Sequence, residues 1–563
     1  MKFSGVTRRE FLGGSAAAVS VALLPRLGLA RVVLAGATEA ESAQDDMDRD
    51  LLEVTIPKLH AFYEAKKYTT TQVTRWYLSR IARYDRVYRS MIHVDSAGAL
   101  ATAAAQDAAA TKSGAQLKRG LIWGVPIVIK ANTSVKGLVT SAGWYGYLVP
   151  GHELIAPRDA TVVAKLKAAG AIILGQTNMP DFAASDANFS TAFGRTGNAY
   201  DVKFSPGGSS GGTVTAVAAN FCVLGTGTDT ANSIRMPAGT SSVVGVLPTR
   251  GLTSIAGIHP LNWLLDNTGP IARNVTDAAI ALEVMAGADP QDARTRDAGA
   301  RAPTGPYTKY LNAGSLKDKR FGVPAFIVQS GNDIAPGASS IALRPDTRAL
   351  FLKAVEALRA AGATVVVDDA ILPSSFLELV GAIKTQPYTG EGTETFLRDY
   401  GPPEYRSPAE YARAVGSPLP AFVRGASSIG RDPNAPTLRI ENDPQAEGNV
   451  WGPQRQALAA YDETLDRFKL DGLVYPSAQM PPNDEMIPLA EGRRSDGPHS
   501  NTGWVNAIGV PAIVVPGGFY ANGLPFGLEL SAKRWRDGDL VGWSFAFEQA
   551  TKFRRPPTLT DKR

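Results

Sequence analysis

Residues 121–129 read Leu-Ile-Trp-Gly-Val-Pro-Ile-Val-Ile, apolar at nearly every position. An apolar run without alternation predicts a strand buried on both faces. Pro126 cannot donate to a ladder, so the strand is expected to start at or just after it. Upstream, residues 57–83 carry the spacing of a helix pair, with Thr69-Thr70-Thr71 as the cap before the second helix. Residues 99–111 are alanine-rich and predict a helix. Residues 159–169 form an amphipathic pattern closed by Gly170, and Ala171-Ile-Ile-Leu174 follows as a strand. The pattern recurs: 320–323 as strand, 346–361 as helix closed by Gly362, and 364–367 as strand. Such units predict an α/β fold whose central sheet is covered on both faces by helices. Residues 286–310 and 400–450 are rich in Pro, Gly, Asp and Arg and read as long loops or an insert.

The segment with the most chemical content is Ser205-Pro-Gly-Gly-Ser-Ser-Gly-Gly212. A Thr/Ala/Val helix over 213–220 and an apolar run over 221–224 follow it, and then Gly225-Thr-Gly-Thr-Asp-Thr-Ala-Asn-Ser-Ile-Arg235. Two serine-bearing glycine loops are therefore expected on either side of a short helix and strand. Glycines let backbone amides approach a reacting oxygen. A serine becomes a nucleophile only beside a base. One candidate base is Lys130, directly after the apolar stretch 126–129, where burial would lower its pKa. The stretch Gly207-Gly-Ser-Ser-Gly211 also fits the G-x-S-x-G elbow. That pattern would make Ser209 the nucleophile, with His259 or His499 as base, but neither histidine has a carboxylate partner at a recognisable spacing.

Composition narrows the choices. With 56 Gly and 38 Pro in 563 residues, the chain is neither collagen-like nor of low complexity. A single cysteine, Cys222, excludes a disulfide framework and a Cys-based zinc site. The five histidines are scattered and form no HExxH pair, so no metal and no cofactor are expected. The net charge of +5 comes mostly from Lys2, Arg8, Arg9, Arg26 and Arg31, which leaves no electrostatic case for a nucleic-acid partner. Those basic residues belong to an N-terminal address. Thr7-Arg-Arg-Glu-Phe-Leu12 resembles the twin-arginine export signal. The apolar stretch 11–24 after it is too short to span a bilayer, and Ala35-Gly36-Ala37 offers a cleavage site. This predicts a signal over 1–37, a flexible leader over 38–50 and a domain over 51–563. It also predicts the twin-arginine machinery as a partner, a periplasmic or secreted location, and no stable membrane anchor.

Taken together, several blocks resemble the amidase signature family. They are Gly124-Val-Pro-Ile-Val-Ile-Lys130, Gly175-Gln-Thr-Asn-Met179, Pro206 to Gly212, Gly227 to Pro237, Val246 to Gly251, Asp266 to Pro270 with Asp277, Gly509 to Gly517 and Gly523 to Gly527. The likeness is strongest over 120–280, returns at 500–550 and is thin between, where a variable insert over roughly 285–450 is expected. The resemblance implies an amidase-signature fold, a mixed central sheet flanked by helices. It implies a Ser–cis-Ser–Lys triad: Ser233 as nucleophile, Ser209 as relay in a cis peptide and Lys130 as base. The backbone N–H groups of Thr230, Ala231, Asn232 and Ser233 would form the oxyanion hole. Ala231 and Asn232 stand where the family usually has glycine. Asp229 and Arg235 are candidates to support the loop, and Trp144, Tyr145 and Met179 to line the pocket. The implied activity is hydrolysis of a small linear amide through an acyl-enzyme, with esters or carbamates as side substrates. The alternatives are an A-subunit-like role, releasing ammonia within an amidotransferase complex, or an inactive binding protein of the same fold.

Overall fold

The computed structural model describes residues 45–562 except 114–117, 303–304, 329–340, 425–436 and 492–496. The chain divides into two units, Met1–Leu52 and Glu53–Arg563. The twin-arginine segment and residues 38–44 lie outside the described residues. Within the stretch expected as a flexible leader, residues 45–50 are helical, and Arg49 pairs with Asp46 across one turn at 2.7 Å.

The second unit is built on a mixed sheet of 11 strands. In chain order the strands are β1 (Met91–Val94), β2 (Pro126–Lys130), β3 (Ile172–Thr177), β4 (Phe189–Ser190), β5 (Gly194–Arg195), β6 (Leu224–Asp229), β7 (Val244–Leu247), β8 (Asn267–Ala272), β9 (Arg320–Val323), β10 (Thr364–Val367), β11 (Gly472–Pro476), β12 (Ala512–Phe519) and β13 (Pro525–Ala532). β4 and β5 form a separate hairpin, and the others run in the order β1-β3-β2-β6-β8-β7-β12-β13-β11-β9-β10. β2 is parallel to both β3 and β6. β6, β8, β7, β12, β13 and β11 are then joined by antiparallel pairs, and the β11–β9–β10 edge is parallel again.

Most predicted elements appear within a residue or two of their expected ends. β2 begins at Pro126, the one strand position where a missing N–H costs least. The helix Thr70–Tyr88 is opened by a capping box between Thr69 and Gln72. β9 and β10 fall on the strands predicted at 320–323 and 364–367, with the helix Pro345–Ala360 between them. Thus the 285–450 segment itself supplies the two strands at one edge of the sheet.

One expectation is corrected. Residues 225–229, expected within a glycine loop, are the body of β6, fully buried between β2 and β8. Their glycines serve packing. A Cβ at Gly225 would lie 2.6 Å from Thr213 Cγ2 and 2.8 Å from Val128 Cγ2, and one at Gly227 would lie 2.8 Å from both Ile234 Cγ1 and Ile271 Cδ1. Glycine signals a turn in an isolated sequence, whereas here it lets a strand lie close under a helix.

Candidate active site

Lys130 ends β2, and Thr228 and Asp229 end β6, its parallel neighbour. Loops beyond the carboxyl ends of parallel strands are where α/β sheets place ligands. Between these strands in sequence runs the Gly/Ser loop, which leads into the helix Gly211–Ala218 with Ser210 at its N-cap. Gly211 and Gly212 allow that helix to start against the chain after β3: a Cβ on Gly212 would sit 2.3 Å from the Asn178 carbonyl oxygen. The Gly208–Ser209 peptide is cis. The Ser210 N–H donates to the Ser233 carbonyl at 3.2 Å and so ties the two serine loops together.

Lys130 is fully buried. Its Nζ lies 2.7 Å from Ser209 Oγ, 3.0 Å from Ser210 Oγ and 2.8 Å from Thr228 Oγ1. The protons can be followed. Ser210 Oγ donates to the Thr228 carbonyl at 3.3 Å, which leaves its lone pairs to accept from the amine. Thr228 Oγ1 already accepts from Asn132 Nδ2 at 3.2 Å and can accept from the amine too. The ammonium form donates to Ser209 as well; in a neutral amine the two N–H groups are used on Ser210 and Thr228, which leaves the lone pair to accept from the Ser209 hydroxyl. Burial lowers the amine to about 7, against the opposing pull of Asp229 and Asp266. The positive end of the helix Gly211–Ala218 lies at the same place and disfavours a cation further.

Asp229 and Arg235 are both buried and paired, Nε to Oδ2 at 3.1 Å and Nη2 to Oδ1 at 3.3 Å. Arg235 also reaches Glu529 on β13 at 2.6 Å, the Thr502 carbonyl at 3.1 Å and the Ala231 carbonyl. Asp229 Oδ2 accepts from the Ile234 N–H at 3.1 Å, and Asn506 Nδ2 donates to the Asp229 carbonyl at 2.8 Å. These bonds hold the turn 230–234 from both sides. Among the described residues, the N–H groups of Thr230, Ala231, Asn232 and Ser233 donate to no protein acceptor, so they are available to a ligand. Neither Ala231 nor Asn232 is among the left-handed non-glycine residues of the described chain, so their Cβ atoms bring no backbone strain. Ser233 is 5% exposed. Thr230 Oγ1 donates to Asp266 Oδ1 at 2.5 Å.

The other candidates are placed differently. Trp144 is buried in an aromatic cluster with Tyr147, Phe182 and Tyr411. Tyr145 is 60% exposed, and Met179 is fully buried against Ala131 and Ala183. The elbow reading loses one of its two candidate bases, His259. The buried ring of His259 is bound on both nitrogens, to Tyr147 OH at 2.8 Å and to the Pro260 carbonyl at 3.2 Å, and burial lowers its pKa to about 3. Sequence reasoning passed over Ser210, Thr228, Asn132, Glu529 and Asn506. Of these only Ser210 and Thr228 had a visible signal, their places inside the Ser/Gly and Thr/Asp motifs.

The sequence matches the amidase family over residues 72–541, and the chain belongs to that family. It is 32% identical over 514 residues to the A-subunit of the glutamyl-tRNA(Gln) amidotransferase of Myxococcus xanthus, covering 90% of this chain and 99% of that one. The corresponding protein of Thermosynechococcus vestitus is 31% identical over 511 residues, covering 89% and 98%. Among solved structures, the peptide amidase of Stenotrophomonas maltophilia superposes with a TM-score of 0.73 at 29% identity, over 90% of this chain and 98% of its own. A bacterial aryl acylamidase at 21% identity shares the fold, with a TM-score of 0.70. The protein is an enzyme acting on amide C–N bonds.

Proposed function

We propose that the chain hydrolyses small linear amides to a carboxylate and an amine or ammonia, through an acyl-enzyme on Ser233. The observation that carries this reading is a buried amine, lowered to about 7, 2.7 Å from a serine hydroxyl that it can deprotonate. Neutral Lys130 takes the proton of Ser209, and Ser209 takes that of Ser233 as the latter attacks the carbonyl carbon. The oxyanion is met by the uncommitted N–H groups of the 230–233 turn. Ser209 returns a proton to the departing nitrogen, and water then releases the acid by the reverse relay. Esters and carbamates present the same carbonyl and are expected as side substrates. Labelling by a serine-directed fluorophosphonate tests the scheme: the wild type should label at Ser233, and Ser233→Ala should neither label nor turn over an amide. Normal labelling of Ser233→Ala would overturn the assignment.

A second reading rests on the amidotransferase proteins found among the relatives. In it the same triad would release ammonia from an amide for a partner complex. Ammonia release that appears only with added partner proteins would favour it over the free-standing amidase. The twin-arginine motif supports the free-standing reading and, with it, a location outside the cytoplasm.

A further inference from the structure

Beside the nucleophile lies a carboxylate that the proposed chemistry does not use. Asp186 is half-buried between the Gly/Ser loop and the 497–500 segment. A Cβ on Gly208 would come within 2.9 Å of the Asp186 carbonyl oxygen, and one on Gly497 within 2.4 Å. The residue is therefore wedged next to the peptide that carries Ser209. Its side chain faces the other serine loop, where Asn232, the neighbour of Ser233, donates from Nδ2 to Asp186 Oδ2 at 3.4 Å and to Ser500 Oγ at 2.7 Å.

Asn232 is 6% exposed, and both hydrogens of its amide nitrogen are spent on Ser500 and Asp186. Its Oδ1 is buried without a partner among the described residues. Asp186 accepts the long bond from Asn232 and feels the repulsion of Asp229, while His499 supplies the nearby attraction. Burial accordingly raises its carboxyl to about 6. The unpartnered Asn232 Oδ1 and the Asp186 carboxylate, which accepts one long bond from Asn232, thus lie together beside the turn that carries Ser233. A buried acceptor without a donor, such as Asn232 Oδ1, costs stability unless a ligand provides one. A cation that donates hydrogen bonds serves both groups, since hydrogen bonds between ionised partners are the strong ones.

We propose that Asp186 sets substrate choice: its carboxylate and the Asn232 amide oxygen receive a protonated amine that the substrate carries close to the scissile amide. This rests on the amidase reading and names a substrate class for it, amides with a free amine such as amino-acid amides. Amides whose nearby amine is acylated fit less well, because they bring one neutral donor and more bulk.

The test compares kcat/KM for phenylalanine amide and its N-acetyl derivative in the wild type, Asp186→Asn and Asp186→Glu. The wild type should prefer the free amine. Asp186→Asn should lose about tenfold or more of that preference, and Asp186→Glu should keep part of it. A wild type that prefers the acetylated amide overturns the inference without need of a variant, so a variant that fails to fold does not shield it. An unchanged ratio in a folded Asp186→Asn overturns it as well. Absence of fluorophosphonate labelling and of turnover on both amides in the wild type instead strikes the amidase reading itself.

Discussion

At the scale of the residue, the proposed function rests on how little water reaches one amine. A lysine titrates ordinarily near 10.4 and is useless as a base at neutral pH. Full burial at the end of β2 brings Lys130 to about 7. Turnover should therefore rise with pH through about 7, and kcat/KM should fall tenfold per unit below it, read from a pH–rate profile. The same shift has a stability consequence. Between the folded value near 7 and the unfolded value near 10.4, the unfolded chain binds the extra proton, so stability rises with pH across that window. The penalty is full below about 7, on the order of 5 kcal/mol, and fades as pH approaches 10. Lys130→Met removes it and should abolish turnover. The difference in unfolding free energy between variant and wild type should shift in the variant's disfavour by a few kcal/mol from pH 7 to pH 10, measured by denaturant titration. A difference that stays flat would show that the amine is charged in the folded protein.

At the scale of the element, the site depends on three neighbouring strands and one short helix held closer than ordinary side chains allow. Thr213 Oγ1 donates to the Thr226 carbonyl at 3.0 Å and lies 2.7 Å from Thr177 Oγ1, which couples the helix Gly211–Ala218 to β6 and β3. Gly225 lies beneath that helix and beside Val128 of β2, two residues before the lysine. Gly225→Ala should cost about 1–3 kcal/mol of stability by overpacking. It should also lower kcat more than it raises KM, since it displaces Lys130 from Ser209 rather than blocking substrate. Steady-state kinetics beside a thermal melt would check both. The turn 230–234 depends in the same way on Arg235, which draws together β6, β13 and the Thr502 backbone. Truncating one member of a buried pair strands the other charge. Arg235→Leu should destabilise by about 3–5 kcal/mol, seen as a lower denaturant midpoint.

At the scale of the whole molecule, the chain's two edges of parallel strands serve different ends. The β3–β2–β6 side carries the candidate site, and β9 and β10 extend the other edge. The helices Thr389–Tyr400 and Pro408–Val415, from the stretch expected to vary, pack into the aromatic cluster that holds Trp144. Tyr411 OH donates to the Gly146 carbonyl at 2.9 Å, and Tyr405 OH to the His152 carbonyl at 2.9 Å. The loop after β2 is thus set by residues 265 and 253 positions later, which is why Trp144 resembles a pocket residue in isolation and is core in the fold. The export signal proposed for the N-terminus belongs to this scale as well. Replacing Arg8 and Arg9 together by lysine should leave amidase activity in the cell extract and remove it from the periplasmic or external fraction. An unchanged distribution would end the export proposal.

Much of this was legible in the sequence because it is encoded locally. The 121–129 run, the Gly170 and Gly362 stops and the Thr69 cap each act within a few residues, so periodicity and turn chemistry predicted the elements they govern. The catalytic candidates were legible too, through motifs that keep Lys130, Ser209 and Ser233 in recognisable surroundings. The rest required the third dimension. Whether Gly225 is loop or strand depends on what lies above it. Whether His259 is a base depends on Tyr147, and whether Asp186 lies beside the 230–233 turn depends on Asn232 and Gly208. Local propensity chose the pieces, and burial against distant partners decided which side chains gave up their charge, which were locked in the core and which were left facing a substrate.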